Sequence, residues 1–339
     1  MTAVRLAAAT GDAVAVIDGF PDAPEIHVGL EGSGAQCVAI DPHAPDRMVV
    51  GTFDKGIFRS DDAGRTWQDL SDGIPHTRVL SVAFSPCESS RDGSVLYAGT
   101  EPSSVYRSAD DGRTWEDLAS LRDLPSATTW SFPPRPWTHH VRWIAPHSSL
   151  PDVLFVGIEL GGVLRTLDGG GTWDDRHPGA VIDPHVLRTH AVATDRVYAV
   201  GGDGISYSLD AGESWRRDVD GMDRHYTWGL AVDPADPDLW YASASTGPMQ
   251  AHGEGDAQAR LYRKSGSSAW EPLRLNGFDG VVAPLESMPY ALVAPRGLTG
   301  CIVAGMRDGT LLFGRDAGDS WQTVGPRLPG ILALADASV

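Results

Sequence analysis

Cationic side chains, cysteines and long apolar runs are all scarce in this 339-residue chain. Lys and Arg total 27 against 45 Asp and Glu, a formal charge of −18 at pH 7. Such a field repels phosphate backbones and anionic headgroups, so nucleic acid and acidic membranes are poor partners. The three cysteines, Cys37, Cys87 and Cys301, are odd in number, far apart and without Cys-x-x-Cys spacing. Neither a disulfide framework nor a thiolate metal knot is therefore indicated, and a reducing cytoplasm is the expected compartment. No stretch approaches the ~18 apolar residues of a membrane span. Near the N-terminus Gly11 and Asp12 break the apolar run that a secretory leader needs. No nucleotide cofactor is expected.

What the chain does contain is a repeated turn. RSDDAGRTW at residue 59 returns as RSADDGRTW at residue 107. Aligned on tryptophan, the pattern (Ser/Thr)-x-Asp-x-Gly-x-(Ser/Thr)-Trp places Asp62, Asp110, Asp168 and Asp210 in register. A fifth copy keeps Asp316, Gly318, Ser320 and Trp321, and around Trp270 little but the tryptophan survives. Upstream of each copy lie short β-branched and aromatic runs parted by Asp-Pro and Gly turns, as in VAIDPHAPDRMVVGTFDKGIF, which read as antiparallel strands. A four-stranded meander cannot cover both of its faces alone and stacks on copies of itself around an axis, so each unit is a propeller blade. The turn joins the third and fourth strands: Asp accepts backbone N–H bonds, Gly takes a positive φ, Ser or Thr ties the strand end, and Trp is expected to pack towards the next blade.

Six blades are expected to begin near Ala35, Val79, His139, Pro184, Thr227 and Met288. The run from Ile331 to Leu334 opens one more inner strand, and VRLAAAT, DAVAVID and EIHVGL at the N-terminus supply its three missing partners. The expectation is one all-β domain over residues 1–339, a seven-bladed propeller whose last blade is shared between about 1–33 and 330–339, with six blades as the fallback.

The turns resemble the Asp-box, or BNR repeat, and the chain is similar to bacterial Asp-box propellers, the broad group holding sialidases, xyloglucan-cleaving glycosidases, sortilin-type receptors and photosystem II assembly factors. The resemblance implies the propeller fold and leaves activity open, because the boxes are shared across very different functions. The Arg-Ile-Pro segment of sialidases is missing, and the chain is too short for the paired propellers of the xyloglucan enzymes.

Function is expected on the face opposite the boxes, where the longest insertions fall: Ala119 to Thr138, Thr246 to Gln258 with Met249, His252 and Glu254, and Arg274 to Ser287. Histidines gather at the same end of the inner strands. His140 and His185 align, His225 lies three residues before that level, and His139 adjoins His140. Strand alternation sends His139 and His140 to opposite sides unless the strand start is irregular. Glu159 occupies the facing loop of the third blade, with Glu101, Asp54, Asp203 and Arg307 at equivalent points. Imidazole with carboxylate suits Zn²⁺, Fe²⁺, Mn²⁺ or Cu²⁺.

Three readings follow. In the first, a metal-dependent enzyme acts on a small molecule at the axial mouth, as a hydrolase, lyase or oxidoreductase. His140, His185, His225 and Glu159 are the ligands, Glu159 or His139 the acid–base group, and Arg142 or Arg188 holds substrate. Trp130, Phe132, Trp137, Tyr226 and Trp228 are candidates to stack on a sugar or aromatic ligand, and His252 to touch it. In the second, a sialidase-like hydrolase uses paired carboxylates such as Glu101 and Glu159. In the third, a non-catalytic propeller binds a protein or glycan. Isolated strand histidines are otherwise packing residues, and an arginine beside Glu159 or Asp183 is otherwise an ion pair.

Overall fold

The computed structural model describes residues 3–90, 93–275 and 284–339. Antiparallel meanders are arranged in seven sheets. Blade I comprises Ala35–Ile40, Met48–Thr52, Ile57–Ser60 and Gln68–Asp69. Blade II runs through Val79–Ser90, Gly93–Thr100, Val105–Ser108 and Glu116–Asp117, and blade III through Val141–Pro146, Leu154–Ile158 and Gly162–Thr166. The fourth strand of blade III is reduced to one bridge, Arg165 to Asp174, which a 2.6 Å ion pair reinforces. Blade IV contains Pro184–Thr189, Val197–Gly201, Gly204–Ser208 and Arg216–Arg217. Blade V contains Tyr226–Val232, Leu239–Ser245, Arg260–Ser265 and Glu271–Pro272, and blade VI Pro289–Val293, Ile302–Met306, Leu311–Arg315 and Ser320–Thr323. Blade VII joins the chain ends: Ala333–Ser338 pairs with Val4–Ala9, followed by Val14–Phe20 and Glu25–Gly29. Each inner strand touches the next, and that of blade VII touches that of blade I, so the ring is closed.

Second strands such as Met48–Thr52, Leu154–Ile158 and Val197–Gly201 are buried at every residue. Neighbouring blades cover both of their faces, which is why they read as continuous apolar runs rather than alternating ones. Aromatic residues fill the wedge between blades IV and V, where Tyr198, Tyr207 and Trp270 all pack edge-on against Trp240.

The repeated turns have one hydrogen-bond plan. In the first, Ser60 Oγ donates to Asp62 Oδ1 at 2.8 Å and accepts from Gly64 N at 2.8 Å, while Asp62 accepts from Thr66 N at 2.8 Å and Thr66 Oγ1 at 2.6 Å. Those donors hold the Asp62 carboxyl at about 2. Gly64 has φ +82°. The tryptophans pack back on the preceding blade, not the next: Trp115 Nε1 donates to Leu70 O of blade I at 3.0 Å and Trp270 Nε1 to Asp218 O of blade IV at 3.2 Å. Because Glu116 and Asp117 beyond Trp115 are exposed, the indole is what seals the blade's outer edge to its neighbour. Ser60→Ala removes a buried hydroxyl that serves three partners and is expected to cost about 1–3 kcal/mol, measured as a lowered urea midpoint.

Candidate functional site

The inner strands do not alternate strictly at their starts. Register slips between Ala35 and Cys37, Val79 and Ser81, Val141 and Trp143, Pro184 and Val186, Thr227 and Leu230, and Pro289 and Ala291. Six blades thus share a bulge at one level, and in blades III to VI the bulged residues are Arg142, His185, Trp228 with Gly229, and Tyr290. A bulge bends its strand and re-aims a side chain. These four side chains meet at the mouth of the axial channel: Arg142 lies 4.8 Å over the Trp228 ring, His185 lies 4.1 Å from it, and Tyr290 stacks on it at 5.1 Å.

Beside them, Glu159, Asp183 and His185 bring one oxygen or nitrogen each to within 4.8 Å of one another. Glu159 stands at the tip of the hairpin between the second and third strands of blade III, and Asp183 one residue before the inner strand of blade IV. All three groups are oriented from behind. His140 Nε2 is 3.0 Å from Glu159 Oε2. Leu160 N donates to Asp183 Oδ1 at 3.2 Å. His185 Nδ1 donates to Thr227 O at 2.7 Å, which leaves the lone pair on Nε2. That Nε2 is buried without a hydrogen-bond partner, 3.7 Å from Asp183 Oδ2. Asp183 also lies against Gly202, where a Cβ would come within 2.1 Å of Oδ2.

The electrostatics of the group are unbalanced. Burial, and then the negative charge of Glu159, push the Asp183 carboxyl up to about 7. Burial opposes ionisation of Glu159 as well, but chiefly the hydrogen bond to His140, with the Arg142 charge beside it, outweighs it and holds the carboxyl at about 2. Burial drives the His185 imidazole down to about 4, so it is neutral at physiological pH. Two carboxylates and a free imidazole lone pair thus converge with one cation at their edge, Arg142, whose Nε is 3.7 Å from Glu159 Oε2. Glu159 and Asp183 keep 14% and 18% of their side-chain surface exposed, so the group opens to solvent.

Behind His140 lies Glu101, at 3.9 Å from Nδ1. Glu101 is gripped by Arg135 and Arg78, and their charges and hydrogen bonds overcome its burial and lower its carboxyl. On the other flank Tyr226 OH lies 2.9 Å from His252 Nε2, and His252 Nδ1 lies 2.6 Å from Tyr290 OH, which reaches Ala251 O at 3.3 Å. This row holds His252, carried on the short helix Pro248–His252, against Trp228.

Of the residues expected at the mouth from sequence, His140, Glu159, His185, Arg142, Tyr226 and His252 are brought together. His225 is not: it lies exposed before the inner strand of blade V, and Asp183 stands where a further ligand was sought. His139 turns away and packs edge-on to Trp130. Trp130 is 6% exposed within the apolar core shared by blades II and III, its Nε1 bonded to Ser126, and so has no face for a ligand. Trp137 is 80% exposed. Phe132 packs edge-on to His140. Arg188 lies deeper, on the channel wall. Asp203 supports the backbone of Ile182 and Asp183 and pairs with Arg217, while Arg307 grips the carbonyls of His252 and Gly253. The Arg274 to Ser287 insertion lies largely outside the described residues. Asp183 and Tyr290 were missed as mouth residues; the signal was there, since each sits where an inner strand begins.

Neither a family model nor a curated protein matches the sequence. Solved structures share the fold. An ancestral GH74 enzyme superposes with a TM-score of 0.60 at 15% identity over 85% of this chain, which covers only 38% of that enzyme. YCF48 bound to D1 peptide gives 0.59 at 17% identity, covering 85% of this chain and 80% of that one. The GH74 xyloglucanase from Xanthomonas campestris gives 0.52 at 15% identity, covering 95% of this chain and 58% of that one. These likenesses establish the propeller fold. Among the described residues no helix is long and apolar enough to cross a membrane.

Proposed function

We propose that the axial mouth is a divalent-metal centre and that the protein is a metal-dependent enzyme for a small molecule. Glu159, Asp183 and His185 are the ligands. The observation that carries this reading is the triple orientation: each ligand group is fixed by a hydrogen bond, Glu159 with His140 Nε2, Asp183 accepting from Leu160 N, and His185 Nδ1 donating to Thr227 O. Metal sites are built this way, because the outer partner sets the ring or carboxylate direction and the imidazole tautomer. A cation also offsets the burial and the facing Glu159 charge that together raise the Asp183 carboxyl. Two oxygens and one imidazole nitrogen suit Zn²⁺, Mn²⁺ or Fe²⁺ better than Cu²⁺. With three protein ligands an open position remains, at which a bound metal would lower the pKa of water or polarise a substrate oxygen. Trp228 and Tyr226 offer the aromatic wall beside it.

The paired-carboxylate reading is weaker, because both oxygens of Glu101 are occupied by arginines and it has no proton to give at neutral pH. Chelator-stripped protein lacking a histidine tag, titrated with Zn²⁺ or Mn²⁺ by calorimetry, is expected to take up one ion per chain. Because Asp183, at about 7, must lose its proton to ligate, affinity is expected to rise about fivefold between pH 6 and 7 and to level above about pH 8, with His185 already neutral. The same carboxyl makes metal-free protein less stable as pH rises from about 4 to 7, since the folded state holds that proton longer than the unfolded chain. Asp183→Asn is accordingly expected to raise the melting temperature at pH 8 while losing the metal. Absence of uptake at any pH would falsify the reading.

A further inference from the structure

Below the mouth the channel opens into a cavity of about 600 Å³ lined by the inner strands of all seven blades. One level of that wall is unusual. Arg188 pairs with Tyr198 of its second strand, and the residues in the equivalent register elsewhere are Ala39, Ala83, Ala145, Ala231, Val293 and Ala335. All of them line the cavity. A single guanidinium therefore shares its layer with six small apolar side chains.

Arg188 is held in place without a direct ion pair; Asp336 attracts it and Arg296 repels it, both at longer range. Nε donates to Leu230 O at 3.3 Å and Nη2 to Leu292 O at 3.2 Å, carbonyls of blades V and VI, and the guanidinium lies 4.7 Å over the Trp143 ring. Among the described residues it makes no ion pair. The acid on the cavity wall, Asp336, is bound instead by Arg296 N at 2.8 Å. Burial lowers the Arg188 guanidinium to about 10. A half-buried cation with no direct ion pair keeps donors and charge that an arriving anion can take up.

We infer that the Arg188 layer is the receptor for a carboxylate on an otherwise apolar tail. The layer decides between anions: its one guanidinium set among alanine and valine, with Asp336 on the same cavity wall opposing a second negative charge, matches a monoanion with a hydrocarbon body, whereas a phosphate dianion calls for further cations or polar donors. The position gives the length. His185 and Arg188 are three residues apart on one strand, about 10 Å at ~3.3 Å per residue. On the reading of the mouth as a metal centre, the substrate class is a small carboxylic acid whose reacting group lies roughly that far from its carboxylate.

The test uses the full chain in metal-free form, so that it stands apart from the metal reading, with hexanoate, hexanamide and inorganic phosphate as calorimetric probes. Hexanoate is expected to bind at least tenfold more tightly than hexanamide or phosphate. Arg188→Met is expected to weaken hexanoate at least tenfold and leave metal uptake unchanged, with Arg188→Lys recovering part of the loss. Ala145→Leu, which fills the layer and spares the charge, is expected to block hexanoate as well and guards against a misfolded arginine variant. Equal hexanoate affinity in parent and Arg188→Met, or no hexanoate binding to folded parent protein, overturns the assignment. Preference for phosphate overturns the carboxylate class. Failure of the metal reading shows separately, as hexanoate binding that persists in a protein taking up no metal.

Discussion

Glu159→Gln is expected to reduce metal affinity at least about 100-fold while leaving the propeller folded. Loss of a partner that merely orients a ligand already costs about 10–100-fold, and this substitution removes both a ligand oxygen's charge and the anion that His140 and Arg142 face. Glutamine keeps the size and can still accept from His140 Nε2, so the hairpin tip of blade III has no reason to collapse. His225→Ala is the contrasting variant: exposed and outside the group, it is expected to match the parent in metal content. Calorimetry and elemental analysis on the two variants side by side separate a centre built on Glu159, Asp183 and His185 from one built on histidines alone. Parent-like affinity in Glu159→Gln removes the centre; lost affinity in His225→Ala returns that residue to it.

The second large effect concerns closure. A chain ending at Gly330 is expected to show no cooperative unfolding transition. The deleted strand pairs with Val4–Ala9 over six residues and places Ile331 and Leu334 in a core with Val4, Leu6 and Ile17. Its hydrogen bonds, at about 0.5–1.5 kcal/mol each net, together with that apolar burial, are comparable with the whole ~5–15 kcal/mol stability of a domain. The deletion also exposes the Val4–Ala9 edge, which invites pairing between copies. Circular dichroism on heating and light scattering read the two consequences. A synthetic strand spanning residues 330–339 is expected to restore the transition in trans, since an open sheet edge accepts an added strand. A truncated monomer melting within a few degrees of the parent contradicts the closure argument.

Blade starts were placed within two residues of the observed inner strands at Ala35, Val79, Val141, Pro184, Tyr226 and Pro289. The terminal strands were matched correctly to each other, because both signals are local runs of apolar residues. His225 was named as a ligand although it lies three residues before the level of His140 and His185. The residue at that level in blade V is Trp228, in the bulge with Gly229, and the structure places Trp228, not His225, beside His185. The expected separation of His139 from His140 did hold, with His139 on Trp130 and His140 on Glu159. Trp130 and Trp137 were grouped as ligand-stacking aromatics, yet one is core and the other is open surface. Composition cannot distinguish those fates inside a long loop.

By itself the order of residues determined the blade, its turn, the number of repeats and the joining of the two ends. Each of these rests on interactions within about fifty residues or on a period that repeats many times, and such signals survive in one dimension. Only the folded ring decided the site. Glu159, Asp183 and His185 belong to two blades and Arg142, Trp228 and Tyr290 to three; a one-residue slip recurring at the same height around an axis brings Arg142, His185, Trp228 and Tyr290 to Glu159 on its hairpin tip and Asp183 before its strand. That slip changes which face each side chain takes, and nothing in the local sequence encodes the neighbour it will meet there.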